Sequence, residues 1–521
     1  MGWIGVIQIF YAFLAVTCIE VTKYIINLMD EPQRQSDTEN LHKFFLLSLL
    51  CVSVTLWQKP TTAGTPSRQL LSCGAVTDFK RKENNVSNAP IRIGMIGLGT
   101  VGSGVAKLLK ANAQQYSSRT GQTIQIVSVL VRNLDKAKAT GLVDEAILTN
   151  DADTFFAQDM DVVLEVAGGV EVAGDFVRRA IENNCHVVTA NKALLAAQGP
   201  DLYSLAKQHN VSIAFEASCG GGIPLVTALS FGLMSNRIDS LYGILNGTCN
   251  YILTEMTQKG KTYTDALVEA KELGYAEADE TLDVSGADAA QKLVVLSSLA
   301  FDVKVTEDQI TCKGIDTLDL SDVNFGSEMG YEIKLLAMAQ QTDKGLSLRT
   351  MPCFIHKDTQ LAQVDSSFNA LSVYGSATGH TFYYGRGAGE FPTASAVVSD
   401  LLNIVSGWYP KAFEQMNIWP VNHPDVQLAD PDELVGRYYL RTDVKDIPGV
   451  MAKLTSALGN ANISINAVMQ HETEDTETAP VVILTHEARQ GDIQTALDEI
   501  AALPHTVGQP VILPIVDFPE G

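Results

Sequence analysis

Apolar and polar positions change period several times along the chain, and each change predicts a different element. Ile91-Arg92-Ile93-Gly94-Met95-Ile96 is an apolar run of strand length. Glycines follow it at once, and Val105-Ala106-Lys107-Leu108-Leu109 then continues as a helix. Ile124 to Val131 predicts a second strand, and Val162 to Val166 a buried third that runs into Gly168-Gly169. His186 to Thr189 predicts a fourth, which opens a helix through Ala190-Asn191-Lys192, and Val211 to Phe215 is another apolar strand. Strands alternating with helices predict a parallel α/β sheet. Further on, Gly243 to Leu253 reads as a strand, a polar glycine turn and a helix start. Ser285 is placed to cap a helix that continues as Leu293-Val294-Val295-Leu296.

Toward the C-terminus the period becomes that of an alternating strand, Gly436 to Val444, after a linker predicted over 421–426. Asp446-Ile447-Pro448-Gly449 then turns into a helix from Met451 to Leu458, and Ile463-Ser464-Ile465 opens a strand. Val481 to Thr485, a helix near Ile493 to Ala502 and Val511 to Val516 complete a β-α-β-β-α-β order, the ferredoxin-like split βαβ. The first ninety residues follow none of these patterns. Trp3 to Ile19 and Phe44 to Trp57 are apolar runs, but Glu20 and Lys23 interrupt the first and the second is short for a span. Neither has the basic flank and cleavage site of a signal peptide. An anchor, a targeting piece and upstream sequence that is not normally translated all fit. The abrupt start of a domain at Ile91 favours the last, and a membrane partner exists only if this extension is real.

A chain of 521 residues has room for several cores, and its formal charge of −23 excludes a phosphate-backbone surface, hence nucleic acid. Eight cysteines without a C-x-x-C pair fit reduced thiols in the cytoplasm and give no support for zinc.

Candidate chemistry lies at the strand ends. Gly97-Leu98-Gly99-Thr100-Val101-Gly102 stands between strand and helix, where two glycines permit a tight turn against a pyrophosphate and the third lets helix and strand pack. After the second strand, where an NAD site would place a carboxylate, stands Arg132, with Lys136 and Lys138 beyond, which favours the 2′-phosphate of NADP and leaves NAD open. Gly274 to Lys292 is an acidic loop carrying Glu277, Asp279, Glu280 and Asp283, followed by a helix on which Asp288 and Lys292 share a face. A lysine at such a boundary is partly desolvated and poised to donate a proton. Taken alone, the stretch fits an acidic surface loop before a salt-bridged helix better than a reactive site, and the motifs elsewhere reverse that. The run Glu216-Ala217-Ser218-Cys219-Gly220-Gly221-Gly222-Ile223-Pro224 is either a simple loop or a carbonyl-lined cation site.

In order, Gly-Leu-Gly-Thr-Val-Gly (97–102), Thr-Ala-Asn-Lys (189–192), Asn-Gly-Thr-Cys-Asn-Tyr-Ile-Leu (246–253), the 274–292 stretch and Tyr384-Gly385-Arg386-Gly387-Ala388-Gly389 resemble homoserine dehydrogenase from Ile91 to the C-terminus. Asp-x-Pro-Gly-Val and Asn-Ile-Ser-Ile near the end resemble an ACT domain. The resemblance implies a Rossmann-type NADP-binding domain over 91–220 with part of 385–410, and a homoserine-binding α+β catalytic and dimerisation domain over 221–420. It implies a regulatory ACT domain over 434–517, with 1–90 outside the enzyme. By the same resemblance Lys292 donates the proton to the aldehyde oxygen, Asp288 orients it, and Lys192 stands where cofactor and substrate meet. Glu277 and Asp283 hold the amino and hydroxyl ends of L-homoserine near Thr248. Leu98, Thr100, Val101, Arg132 and Gly389 touch NADP, while Glu216, Cys219, Gly221 and Ile223 hold a sodium ion. Glu280 departs from the proline that many relatives carry. The implied reaction interconverts L-homoserine and L-aspartate 4-semialdehyde in threonine, methionine and isoleucine biosynthesis, in a homo-oligomer (dimer or tetramer) with threonine as effector. Another Rossmann semialdehyde or sugar reductase, and a non-catalytic NADP and amino-acid sensor, stay as alternatives. The paired lysines count against the second.

Overall fold

The computed structural model describes residues 89–276, 279–419, 425–471 and 477–519. The apolar runs before residue 89 and most of the predicted linker lie outside the described residues. Six strands, β1 (Ile91–Ile96), β2 (Ile124–Leu130), β3 (Leu148–Thr149), β4 (Val162–Glu165), β5 (His186–Thr189) and β6 (Ile213–Ala214), form a parallel sheet in the order β3-β2-β1-β4-β5-β6. The central strands are buried along most of their length, as expected for parallel strands covered on both faces. Strand order reverses between β1 and β4, so their carboxyl ends open a crevice of the kind that receives dinucleotides. The strand expected over Val211 to Phe215 shortens to β6, because Phe215 already begins the turn into the glycine-rich loop.

A second sheet begins with β7 (Ile238–Ile244), β9 (Tyr331–Thr342), β10 (Gly345–His356), β11 (Phe368–Gly375) and β12 (Gly379–Arg386), with β8 (Thr311–Cys312) beside β10. The C-terminal strands are β13 (Val435–Lys445), β14 (Ile465–Gln470), β15 (Thr478–Thr485), β16 (Ala488–Arg489) and β17 (Thr506–Val516). With helices Val450–Asn460 and Gln490–Ala501 they give the predicted split βαβ, and Leu454, Leu458, Ile493 and Ile500 form its core. One feature had no signal in the sequence: β17 pairs in parallel with β10 through Phe354↔Ile515 and Ile355↔Val516, so both groups of strands belong to one sheet.

Helix Ala287–Phe301 is apolar on nearly every side and buried over most of its length, and it packs against helix Lys192–Gln208. Its start differs from expectation. Ser285 does not cap it, because Thr281–Val284 is already a short helix and holds Ser285 in αR conformation. The turn is made by Gly286 at φ 86°, a left-handed position that glycine takes without steric penalty.

Candidate active site

The buried start of helix Ala287–Phe301 sets the site. Asp288 Oδ2 accepts from Lys292 Nζ at 2.8 Å and from Asn246 Nδ2 at 2.8 Å, while Asp288 Oδ1 lies 3.1 Å from Lys192 Nζ. Burial alone would raise this carboxyl, but the charges of Lys292 and Lys192 and the donors of Lys292 and Asn246 outweigh it and hold it down at about 2. Lys292 also donates to the Leu245 carbonyl at 2.6 Å, so among the described residues two of its three N–H donors have partners and one has none. Its side chain is 11 % exposed against 28 % for Lys192, so Lys292 is the more desolvated of the two cations.

Asn246 caps helix Gly247–Lys259, its Oδ1 accepting from Cys249 N, and turns its amide toward Asp283 Oδ1 at 2.8 Å. Thr248 Oγ1 lies 3.1 Å from Asp283 Oδ2 and 2.7 Å from the Tyr275 carbonyl. Burial raises the Asp283 carboxyl and nearby Asp288 adds to this, against the donors of Asn246 and Thr248. Lys192, Thr248, Asp283, Asp288 and Lys292 all border one cavity of about 590 Å³. Glu277 lies outside the described residues, and Glu280 pairs with Lys271.

A cofactor cradle lies at the carboxyl end of β1, and of its predicted contacts Lys192 and Gly389 also border that cavity. Gly97 has φ 103°, and a Cβ on Gly102 would fall 2.3 Å from the Gly97 carbonyl, so neither position admits a side chain. Helix Thr100–Ala111 starts at Gly99 with no side-chain cap, leaving its first N–H groups available to a pyrophosphate. Gly389 begins helix Glu390–Val405, which packs on Thr100–Ala111, with Lys107 Nζ 2.6 Å from Glu390. Arg132 is exposed just beyond β2 and makes no ion pair among the described residues.

Three family profiles match the chain in this order: "Homoserine dehydrogenase, NAD binding domain" over 97–216, "Homoserine dehydrogenase" over 224–402 and "ACT domain" over 438–505. A homoserine dehydrogenase of Neisseria gonorrhoeae is 42% identical over 418 residues, spanning 80% of this chain and 96% of the relative. The chain belongs to the homoserine dehydrogenase family. The Pseudomonas aeruginosa homoserine dehydrogenase is 40% identical over 435 residues, 81% of this chain and 98% of its own. The crystal structure of a homoserine dehydrogenase from Thiobacillus denitrificans superposes with a TM-score of 0.77 at 40% identity, covering 82% of this chain and 99% of that one. Homoserine dehydrogenase activity on a nicotinamide dinucleotide, with a C-terminal ACT domain, is therefore the function of this fold. The sugar-reductase and sensor alternatives fall away.

Within this homoserine dehydrogenase the loop proposed for sodium has a mixed character. Glu216 is buried, and its carboxylate is held by the N–H groups of Val226 at 2.9 Å and Thr227 at 2.8 Å. Burial pushes that carboxyl up, against those donors. Among the described residues no hydrogen bond ends on the carbonyls of Cys219 or Gly221, whereas the Ile223 carbonyl accepts from Leu225 N at 2.8 Å. No cluster of three or more His, Cys, Asp or Glu side chains suited to a metal occurs among the described residues, so carbonyl oxygens would supply most of the ligands to a cation here. Reading by motif singled out no individual role for Asn246, the Leu245 carbonyl or Asn369. Each is a neutral group whose part depends on a contact distant in sequence. A further buried network, Thr189 Oγ1 donating to Glu165 Oε2 at 2.6 Å, ties β5 to β4 beneath the cofactor crevice. Among the described residues no helix is long and apolar enough to cross a membrane.

Proposed function

We propose that Lys292 is the proton donor to the carbonyl oxygen when L-aspartate 4-semialdehyde is reduced to L-homoserine, with Asp288 as the group that aims it. The supporting observation is Asp288 gripped between two lysines and Asn246, with a donor of Lys292 left over. The bound nicotinamide supplies the hydride. As negative charge grows on the substrate oxygen, the Lys292 ammonium stabilises it and then gives up a proton, while Lys192 keeps a second positive charge across Asp288. Asp283, with Thr248 beside it and Glu277 nearby in sequence, takes the amino and hydroxyl ends of homoserine, and this polar density rejects aldehydes lacking the ammonium.

NADP is the preferred cofactor in this reading, with NAD accepted less well, and Arg132 is the residue that discriminates. Leu98, Thr100, Val101 and Gly389 are its other contacts. Arg132→Ala should raise KM for NADP about tenfold, the factor carried by a single charge-assisted hydrogen bond, and leave KM for NAD nearly unchanged. Steady-state assays with homoserine and each cofactor check both halves, and equal effects on the two would remove the assignment.

Sodium fits the donor chemistry of the 216–223 loop. The carbonyls of Cys219 and Gly221 would hold it, with Ile223 and Glu216 completing the set. It would balance the buried Glu216 charge and brace the backbone of Gly221 where that lies against Gly387. Threonine is the proposed effector of the ACT domain, and the assembly is read as a cytoplasmic homo-oligomer.

Protonation of Asp283 should set the acid limb of kcat/KM for homoserine. Its carboxyl is raised, so it takes up a proton above the ordinary value of about 3.9 as pH falls, and the neutral form cannot pair with an ammonium. Asp288, held at about 2, stays ionised throughout and contributes no limb there. A pH–rate profile of Asp283→Asn lacking this limb, with a raised KM for homoserine, is the expected result. An unchanged limb assigns it elsewhere.

A further inference from the structure

Asn369, on β11, is buried at the wall of the same cavity. Its Nδ2 donates at 2.9 Å to the Leu245 carbonyl, the oxygen that also accepts from Lys292 Nζ at 2.6 Å. Leu245 directly follows β7 and precedes the cap Asn246, so this one oxygen stands between the sheet and the acid-binding turn. The other end of the Asn369 side chain is anomalous. Oδ1 is buried and has no hydrogen-bond partner among the described residues, whereas both ends of Asn246 are satisfied within the protein.

An unsatisfied buried acceptor costs about 1–3 kcal/mol, so its persistence needs a reason. Turning the carboxamide over would set Oδ1 against the Leu245 oxygen and remove one of that oxygen's two donors. The orientation is thus fixed by the carbonyl it holds. The surroundings leave no slack: a Cβ on Gly387 would fall 2.1 Å from Asn369 Cγ, so the backbone at 387 lies directly on the amide. Asn369 therefore has a rigid seat and a single donation.

We infer that Asn369 is a positioning residue for the reaction, fixing the Leu245 carbonyl so that Lys292 is held by two anchors, Asp288 and Leu245, with its remaining N–H turned to substrate. With one anchor loose, the ammonium could swing about the Asp288 contact, and a misplacement on the order of 1 Å is enough to cost about a hundredfold in rate. The inference rests on the reading of Lys292 as the proton donor.

Four variants of the full chain separate the cases: Asn369→Ala, Asn369→Asp, Lys292→Ala and the double variant Lys292→Ala/Asn369→Ala. Asn369→Ala should lower kcat roughly tenfold to a hundredfold with KM for NADP and homoserine within about twofold. Asn369→Asp, close in shape but set to repel the carbonyl or capture the ammonium, should lose at least as much. In the double variant the alanine at 369 should cost nothing beyond Lys292→Ala, because the group it positions is gone. Normal kcat in Asn369→Ala while Lys292→Ala is inactive overturns the role of Asn369 alone; near-normal turnover in Lys292→Ala overturns the underlying reading. Parallel losses in kcat, both KM values and melting temperature, or an undiminished further loss in the double variant, mark Asn369 as structural and also overturn the proposal.

Discussion

Lys292→Ala should turn over homoserine about a thousandfold more slowly than the parent enzyme while binding NADP with unchanged affinity. General acid catalysis by a positioned side chain contributes roughly a hundredfold to ten-thousandfold, and a thousandfold is about 4 kcal/mol of barrier. The fold should survive the change. Asp288 keeps Lys192 and Asn246 as partners, and the Leu245 carbonyl keeps Asn369, so no buried charge or acceptor is orphaned. Lys192→Ala is the informative contrast. Its ammonium reaches Asp288 but not Leu245 and is the more exposed, so its loss removes a charge without removing the aimed donor. A smaller fall in kcat is expected there, with part of the effect in KM. Single-turnover hydride transfer followed at the nicotinamide absorbance, together with cofactor titration by fluorescence, checks each part. Near-normal turnover of Lys292→Ala would assign the proton to another group.

Most of this site was legible because its parts are local. A glycine triplet between strand and helix, or two residues four apart on a helix, carry their geometry in their spacing, and Asp288 and Lys292, on one helical face, meet at 2.8 Å as that spacing allows. What spacing cannot give is which distant neutral group completes a shell. Asn369 is 124 residues from Leu245, and nothing in the sequence of β11, a strand buried along nearly all its length, says which distant group its one asparagine meets. The misplaced cap at Ser285 has a related cause. A serine before an apolar run is a sound local signal, but the packing of Thr281–Val284 gave the turn to Gly286 instead. The same limit explains the sheet: two residue pairs join β10 to β17, too few to leave a pattern in either strand. In the 216–223 loop the residues alone left both a simple turn and a carbonyl-lined cation site open, and the resemblance to relatives was what favoured the cation.

Arg441→Leu should destabilise the protein by about 3–5 kcal/mol, the cost of leaving a buried carboxylate without its partner. The carboxylate is Asp322, fully buried on helix Leu320–Glu328. Arg441 on β13 reaches it through Nε at 2.7 Å and Nη2 at 3.1 Å, and Tyr439 Oη donates to it at 2.8 Å. Burial, and then the Asp322 carboxylate, push the Tyr439 phenol far above its ordinary value, so it remains a donor at every working pH. These three side chains tie the C-terminal strands to the helix beneath them. That helix follows a segment in which Ile315 N donates to the Val284 carbonyl at 2.8 Å, one residue from Asp283. A buried ion pair costs its own desolvation, so removing both charges should be far milder than removing one. Asp322→Leu with Arg441→Leu is accordingly expected to recover much of the loss, although Tyr439 then lacks its acceptor. Chemical denaturation of the parent, both single variants and the double variant measures the coupling directly. Equal stability of Arg441→Leu and parent would mean that solvent reaches Asp322 once the guanidinium is gone, and that the packing of β13 on the helix, rather than its charges, holds the two together.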